Sequence, residues 1–516
     1  MIACARSSTG ATIVVPRNEV ADVAIVGGGI AGLYVAWRLT TTFPHLRVCL
    51  YEAGARLGGR VRSVVATEGG AIAELGAMSF SDRHRNVCGL VSRFGLTRAP
   101  IEFTDWRHML RGSILSPESY AGDEAIPYNL AACEKGKAPR TLLIEALRAL
   151  IPRLSDLWPF ADAAPDATVM YLKELVIGDR PLWRWGFWNL LATVLSAEAI
   201  ALISATFGSA AAFANANAFD AVFTMLWEAQ PGQRHYGLAA GMSALPEALA
   251  AACEDRVEIR CNHQVTRATW AGHGFELSLS SPDGAIAVQA KSLVAALPKR
   301  ALQLIAFDGV DAGERCFDAV SAVPATKLYL LFDRAWWRDS GDWTDLGRAE
   351  IGACFTDLPI RQCYYFPHAS ERDALILASF ADDVAASFWS VLGATPAPEV
   401  GHSGPAPQLV EAACAQLREL HPTARMHQPS QAFFVDWSRD PYGGAWHAWR
   451  PHVRSWEVRE QVRRPDPELP FFICGEAFAQ PQGWIEGAIN NAEMMLERHF
   501  GVPRPDWVAE NYSFEL

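Results

Sequence analysis

The stretch that most constrains this chain runs from Asp22 to Arg62, DVAIVGGGIAGLYVAWRLTTTFPHLRVCLYEAGARLGGRVR. Val23 to Val26 is a short, mostly β-branched run suited to a buried parallel strand, and it stops at Gly27, Gly29 and Gly32 in the GxGxxG spacing. Lacking a Cβ, the first glycine lets the chain turn sharply, the second lets backbone N–H groups approach a pyrophosphate, and the third lets the following helix close on the strand. That helix, roughly Ala31 to Thr41, directs the partial positive charge of its N-terminus at the phosphates. A second strand, Arg47 to Tyr51, ends in Glu52, whose carboxylate stands where a ribose offers its hydroxyls. The unit predicts an adenine dinucleotide without a 2′-phosphate.

Composition narrows the setting. At 516 residues the chain is long enough for more than one core, and with 50% hydrophobic and 20% charged residues it is globular. A net charge of -12 argues against nucleic acid or an anionic membrane as a partner. The eleven cysteines are odd in number and scattered, without a CxxC pair or metal-ligand spacing alongside the histidines. They read as reduced thiols of a cytoplasmic protein with no metal site. Before residue 20 no apolar run is longer than Ala11 to Val15, which is too short for a signal-peptide core, so this stretch is expected to be a mobile lead-in. Trp185 to Phe213 is interrupted by Glu198 and Gly208 and reads as packed helices rather than a membrane span, and Trp507 to Leu516 forms no hydrophobic tail.

A second glycine turn follows the acidic strand end at once: Leu57-Gly58-Gly59-Arg60, with an arginine as a further pyrophosphate clamp. Near the C-terminus, Phe471-Phe472-Ile473-Cys474-Gly475-Glu476 and then Gly483-Trp484-Ile485-Glu486-Gly487-Ala488 again make strand, glycine, acid, glycine and helix. With Gly443-Gly444-Ala445-Trp446-His447 between them, these motifs resemble the flavin (FAD)-dependent amine oxidase family, and through GGAWHAW and HYGLAAGMSALP its bacterial L-amino acid oxidase-like branch. The likeness covers nearly the whole chain. It implies an α/β fold with a discontinuous FAD-binding Rossmann-like domain over 20–80, 236–315 and 465–516. A mixed-sheet substrate-binding domain is expected over 81–126 and 316–464, and a helical subdomain over 127–235. In the last, helical spacing dominates, no polar constellation recurs, and packing around a channel is the expected role.

The same resemblance implies the site. Gly59 and Arg60 would clamp the pyrophosphate, Gly76, Ala77, Met78 and Ser79 would run beneath the isoalloxazine, and the backbone at Val265 would meet the adenine. Gly475 and Glu476 would reach a ribitol or ribose hydroxyl, with the backbone at Trp484 and Ile485 along the ring. FAD is expected to be non-covalent, because Ala445 stands where the monoamine oxidase branch carries an attaching cysteine. Lys327 interrupts the apolar strand Thr326 to Phe332; by its residues alone it either snorkels to water at the strand mouth or faces the cofactor. The resemblance implies that it holds a water near flavin N5. Trp446 and Trp484 match two aromatic residues that flank the amine, though among eighteen tryptophans either can equally be core.

The activity so implied is an oxidase that takes a hydride from the carbon bearing an amine, with dioxygen as acceptor and hydrogen peroxide as product. The expected substrate is an L-amino acid with a large apolar or aromatic side chain, giving an imine and then an oxo acid and ammonia. Ser79 and Phe380 depart from the branch, which carries an arginine and a tyrosine there. Arg83 and Arg85 are therefore the candidates for holding the substrate carboxylate. The alternatives are an oxidase of an amine or carboxyl-blocked amino acid, an FAD-dependent desaturase, isomerase or monooxygenase, and a catalytically silent FAD protein. A homodimer is also expected.

Overall fold

In a computed structural model of the chain, described over residues 20–66, 70–121, 126–158, 166–208, 216–339, 351–367, 373–393, 406–510 and 512–514 and the short strands at 5–6 and 12–13, the glycine-rich unit lies at the centre of an eight-stranded sheet. Ala21–Val26 pairs in parallel with Val48–Tyr51 on one side and with Gly284–Ala295 on the other, and Val257–Arg260 extends the parallel set beyond Val48–Tyr51. Buried on both faces, these strands are the near-continuous apolar runs that parallel pairing requires. The crossover helix Ile30–Thr42 is buried from Ile30 to Thr40, packed with helices Ala244–Cys253 and Ile485–Met495 in one apolar cluster. Arg38 and Tyr34 on it meet Glu493 of the C-terminal helix, with Arg38 Nη2 2.7 Å and the Tyr34 hydroxyl 2.6 Å from its carboxylate oxygens.

The apolar runs Ala287 to Ala290 and Leu293 to Ala296, which by sequence read as two strands, fall largely in one, Gly284–Ala295. It forks the sheet: its first half pairs antiparallel with Phe275–Ser281, and its second half pairs in parallel with both Ala21–Val26 and Phe471–Ile473. The period-2 pattern continues through residues 291 and 292, so nothing in the backbone breaks there.

A second, seven-stranded sheet runs in the order Ser113–Leu115, Phe103–Leu110, Ile351–Thr356, Gln362–Tyr365, Ala374–Asp382, Ala325–Phe332 and Gln431–Asp436. Helices Pro139–Leu150, Phe187–Leu191, Ala197–Thr206 and Ala218–Glu228 share another core cluster. The run Gly393 to Gln408, rich in Pro, Gly and Ala and so read from sequence as a loop, lies largely outside the described residues, as do most of the lead-in and the segment just after Gly208; Gly393 caps helix Asp383–Leu392 and Gln408 lies in the first turn of helix Pro407–Leu420. Among the described residues no helix is long and apolar enough to cross a membrane.

Candidate active site

One cavity of ≈ 1180 Å³ runs from the glycine-rich turn, past the second sheet, to the helical segment. It exceeds the about 300–1,000 Å³ of a usual small-molecule pocket, leaving room for a dinucleotide and a second ligand end to end.

The nucleotide end is built by close approach. A Cβ on Gly32 would stand 1.9 Å from the Gly27 carbonyl oxygen, so only glycine lets the helix meet the turn; Gly32 itself lies beneath the cavity and does not line it. A Cβ on Gly29 would meet only Gly59 Cα at 3.9 Å and would otherwise enter open space where the two glycine turns face each other. Gly29 caps helix Ile30–Thr42 without a side-chain hydrogen bond, and the first turn holds no acidic residue, so its N–H groups are available to an anion. Glu52 accepts from Gly28 N–H and Gly54 N–H, both at 2.8 Å, one on each oxygen, which leaves each oxygen a lone pair for a hydroxyl. Burial pushes its carboxyl upward, while those two N–H groups pull it back. Val265 lines the same end, at a bulge in Gln264–Trp270. These residues fit an adenine dinucleotide. Sequence reading missed Arg56, whose guanidinium donates to the carbonyls of Leu57, Gly59 and Val61 and so holds the second glycine turn in shape.

Gly76, Ala77, Met78 and Ser79 border the middle of the cavity. The turn they make is pinned from the second sheet by three side chains: Lys327 Nζ donates to the carbonyls of Glu74 (3.0 Å) and Gly76 (2.7 Å), the Tyr329 hydroxyl to Glu74 (3.1 Å), and Trp437 Nε1 to Leu75 (2.9 Å). Lys327 is only 5% exposed, so it does not snorkel to bulk water; it lies on the cavity wall with its ammonium 4.8 Å from the Phe380 ring centroid. Burial lowers it to about 8, against a partial offset from Glu74.

Trp446 and Trp484 both line the cavity, and Phe380 meets Trp446 edge-on at 6.2 Å. One carboxylate spaces the two tryptophans. Glu476 Oε1 accepts from the N–H of His447, directly after Trp446, and of Gly483, directly before Trp484, each at 2.9 Å. Its Oε2 accepts from Arg60 Nη1 at 2.9 Å and His447 Nδ1 at 2.8 Å. Burial alone would raise this carboxyl, but His447 and Arg60 more than offset it and hold the group at about 2. The hydroxyl contact expected of Glu476 is corrected accordingly: its acceptor sites are filled from within the protein, and it acts by fixing Arg60 and the tryptophan pair. Gly475 does not line the cavity either; its N–H donates to Asn491 at 3.1 Å. Ile485, first residue of the last helix, does line it.

Arg83 and Arg85 are not among the residues lining the cavity, a second correction. After Phe80–Ser81 the chain turns into helix Arg85–Arg93, whose buried face joins the nucleotide core. The helical segment supplies polar groups where none were expected. Asp220, Thr224 and Glu228, at i, i+4 and i+8 of helix Ala218–Glu228, all border the cavity among Leu143, Leu147, Ile203 and Phe207. The signal was present as that spacing, submerged in an otherwise apolar helix.

A model of the flavin-containing amine oxidoreductase family matches residues 30–494. Aplysianin-A of Aplysia kurodai is 24% identical over 522 residues, covering 94% of this chain and 91% of that one. An L-amino-acid oxidase of Siganus canaliculatus is 25% identical over 494 residues, covering 92% and 84%. Among solved structures, a double mutant of putrescine oxidase superposes with a TM-score of 0.64 at 20% identity, covering 92% of this chain and 98% of its own, a likeness of fold.

Proposed function

Because the chain belongs to the flavin-containing amine oxidoreductase family and uses FAD, we propose that it oxidises the carbon bearing the amine of an L-amino acid. When bound, the cofactor supplies the hydride acceptor and returns the electrons to dioxygen, giving hydrogen peroxide, while the imine product hydrolyses to an oxo acid and ammonia. The observation that carries this reading is convergence: the dinucleotide cradle, Lys327 and the pair Trp446 and Trp484 border one continuous cavity. The tryptophan faces orient a neutral amine nitrogen and its C–H bond, and the buried walls keep water from competing. Lys327 fixes the turn at Glu74 to Gly76 and presents an ammonium, or at higher pH an amine, to a water in the site.

The apolar wall of Leu143, Leu147, Ile203 and Phe207 supports a large side chain with a long apolar stem. A specific observation favours a second reading, an amine or carboxyl-blocked amino acid: Arg83 and Arg85 do not border the cavity, and of the cations that do, Arg60 is engaged by Glu476, Lys327 by the carbonyls of Glu74 and Gly76, and Arg140 and Arg148 are exposed, while a buried α-carboxylate without a cation is costly. Turnover of a free amino acid, its amide and its decarboxylated amine, followed as peroxide release, tests both. Peroxide from none of them removes the oxidase reading. Comparable rates for all three select the amine. A cytoplasmic homodimer belongs to the same proposal, and cell fractionation with light scattering tests it.

A further inference from the structure

Glu228, on the wall of the catalytic cavity, is a carboxylate without a counter-charge among the described residues. Its Oε1 accepts the Trp484 indole N–H at 2.6 Å, and Oε2 has no hydrogen-bond partner among the described residues. Burial pushes its carboxyl up to about 7, opposed only by that indole, with no cation contributing. Three buried carboxylates elsewhere among the described residues are better furnished: Glu493 has Arg38 and Tyr34, Glu476 has Arg60 and His447, and Glu486 accepts from the N–H groups of Asn86 and Val87. Two turns before Glu228, about 12 Å along the helix at about 1.5 Å per residue, Asp220 shows a milder version of the same condition. It is 6% exposed, with Oδ1 accepting from Ser455 Oγ at 2.8 Å and Oδ2 buried without a hydrogen-bond partner, although Arg459 lies near enough to favour its charge. A buried carboxylate lacking a cation is costly to the fold, and a ligand that brings the cation removes the cost.

Resting on the oxidase reading above, we propose that Glu228 is the counter-charge for a second, distal cation on the substrate. The site then takes an amine that also carries an ammonium or guanidinium several carbons from the reacting carbon, with the methylene stem lying along the apolar wall. The reacting nitrogen is a poor partner for Glu228, because a carboxylate would hold it as an ammonium and withdraw the lone pair that must assist hydride departure. The distal nitrogen has no such constraint and gains a charge-assisted hydrogen bond. Glu228 also grips Trp484 at the indole N–H edge rather than over the ring face, where an amine is attracted.

The test is anaerobic calorimetric titration of the flavin-loaded protein, its flavin first reduced with dithionite so that no ligand can be oxidised, with two pairs, L-lysine against L-norleucine and cadaverine against pentylamine, each pair differing in the distal nitrogen. The ligand bearing the distal nitrogen should bind about 10- to 100-fold more tightly than its partner, the scale of one charge-assisted hydrogen bond. Glu228→Gln keeps an oxygen for the Trp484 indole and should collapse that ratio toward unity. Which of the two binds more tightly, lysine or cadaverine, identifies an amino acid or a diamine as the source of the cation. Equal affinity within both wild-type pairs, or no binding of either lysine or cadaverine, overturns the proposal without recourse to a variant. Equal weakening of norleucine and lysine by Glu228→Gln also overturns it, since that would put the carboxylate on the reacting amine. Peroxide release is measured separately on the same ligands: a distal-cation preference without peroxide leaves this inference standing and removes the oxidase reading, and peroxide without the preference does the reverse.

Discussion

Replacing Glu476 with glutamine probes the junction on which the aromatic pair depends. The carboxylate is 8% exposed and receives four donors: the N–H groups of His447 and Gly483 on Oε1, and Arg60 and His447 Nδ1 on Oε2. Its carboxyl is held at about 2 against an ordinary 4.5, a displacement that, at about 1.36 kcal/mol per pH unit, favours the charged form by about 3 kcal/mol. The folded value is depressed, so this stability is fully present above about 4.5 and is lost as pH falls toward about 2. Glu476→Gln removes the charge at every pH. If its oxygen keeps the two backbone N–H groups, its NH₂ faces the Arg60 guanidinium, donor against donor. Urea unfolding at neutral pH should show a loss of about 3 kcal/mol, and the variant's stability should vary less between about pH 4.5 and 2 than that of the wild type. The same substitution relaxes the backbone just after Trp446 and just before Trp484, so kcat should fall even in preparations matched for flavin content. A variant within about 0.5 kcal/mol of wild type, the range of an ordinary surface change, with unaltered kcat would refute the idea that this carboxylate sets the slot.

The glycine turns separate folding from loading: Gly32→Ala would drive a methyl onto the Gly27 carbonyl and should cost about 1–3 kcal/mol or prevent folding, measured by thermal melting. Gly29→Val faces open space instead and should leave the protein folded by circular dichroism but poorly loaded with flavin; a fully yellow Gly29→Val protein would remove the pyrophosphate from this turn. Lys327→Met should slow reoxidation by dioxygen more than anaerobic reduction by substrate in stopped-flow traces, and in the wild type the reoxidation rate should fall as pH rises through about 8, where the lysine loses its proton. Acid precipitation should leave the flavin in the supernatant, because Ala445 offers no nucleophile; flavin retained in the pellet would contradict this.

What the sequence determined by itself was whatever contiguous chain can build. The turn at Gly27, Gly29 and Gly32, helix Ile30–Thr42 and the acid at Glu52 are neighbours along the backbone, so spacing and strand character suffice to predict their joint geometry. Lys327 was visible as the one charge in an apolar strand, and Trp446 and Trp484 as aromatics set beside glycine turns. Tertiary structure decided what those groups face. That Lys327 spans two carbonyls of the turn at Glu74 to Gly76 depends on a strand about 250 residues away. Glu476 could be read as an acid in a turn, but its donors come from residues 60, 447 and 483, and only their convergence shows that it has no acceptor left for a ligand. Arg83 and Arg85 are four and six residues past Ser79, yet the helix that follows must bury its apolar face in the nucleotide core, and neither arginine borders the cavity. Asp220 and Glu228 present the opposite case: far from every motif in sequence, they reach the cavity because the apolar faces of their helix are taken up by the neighbouring helices. Spacing along a helix says which residues share a face, and only packing says which face meets the substrate.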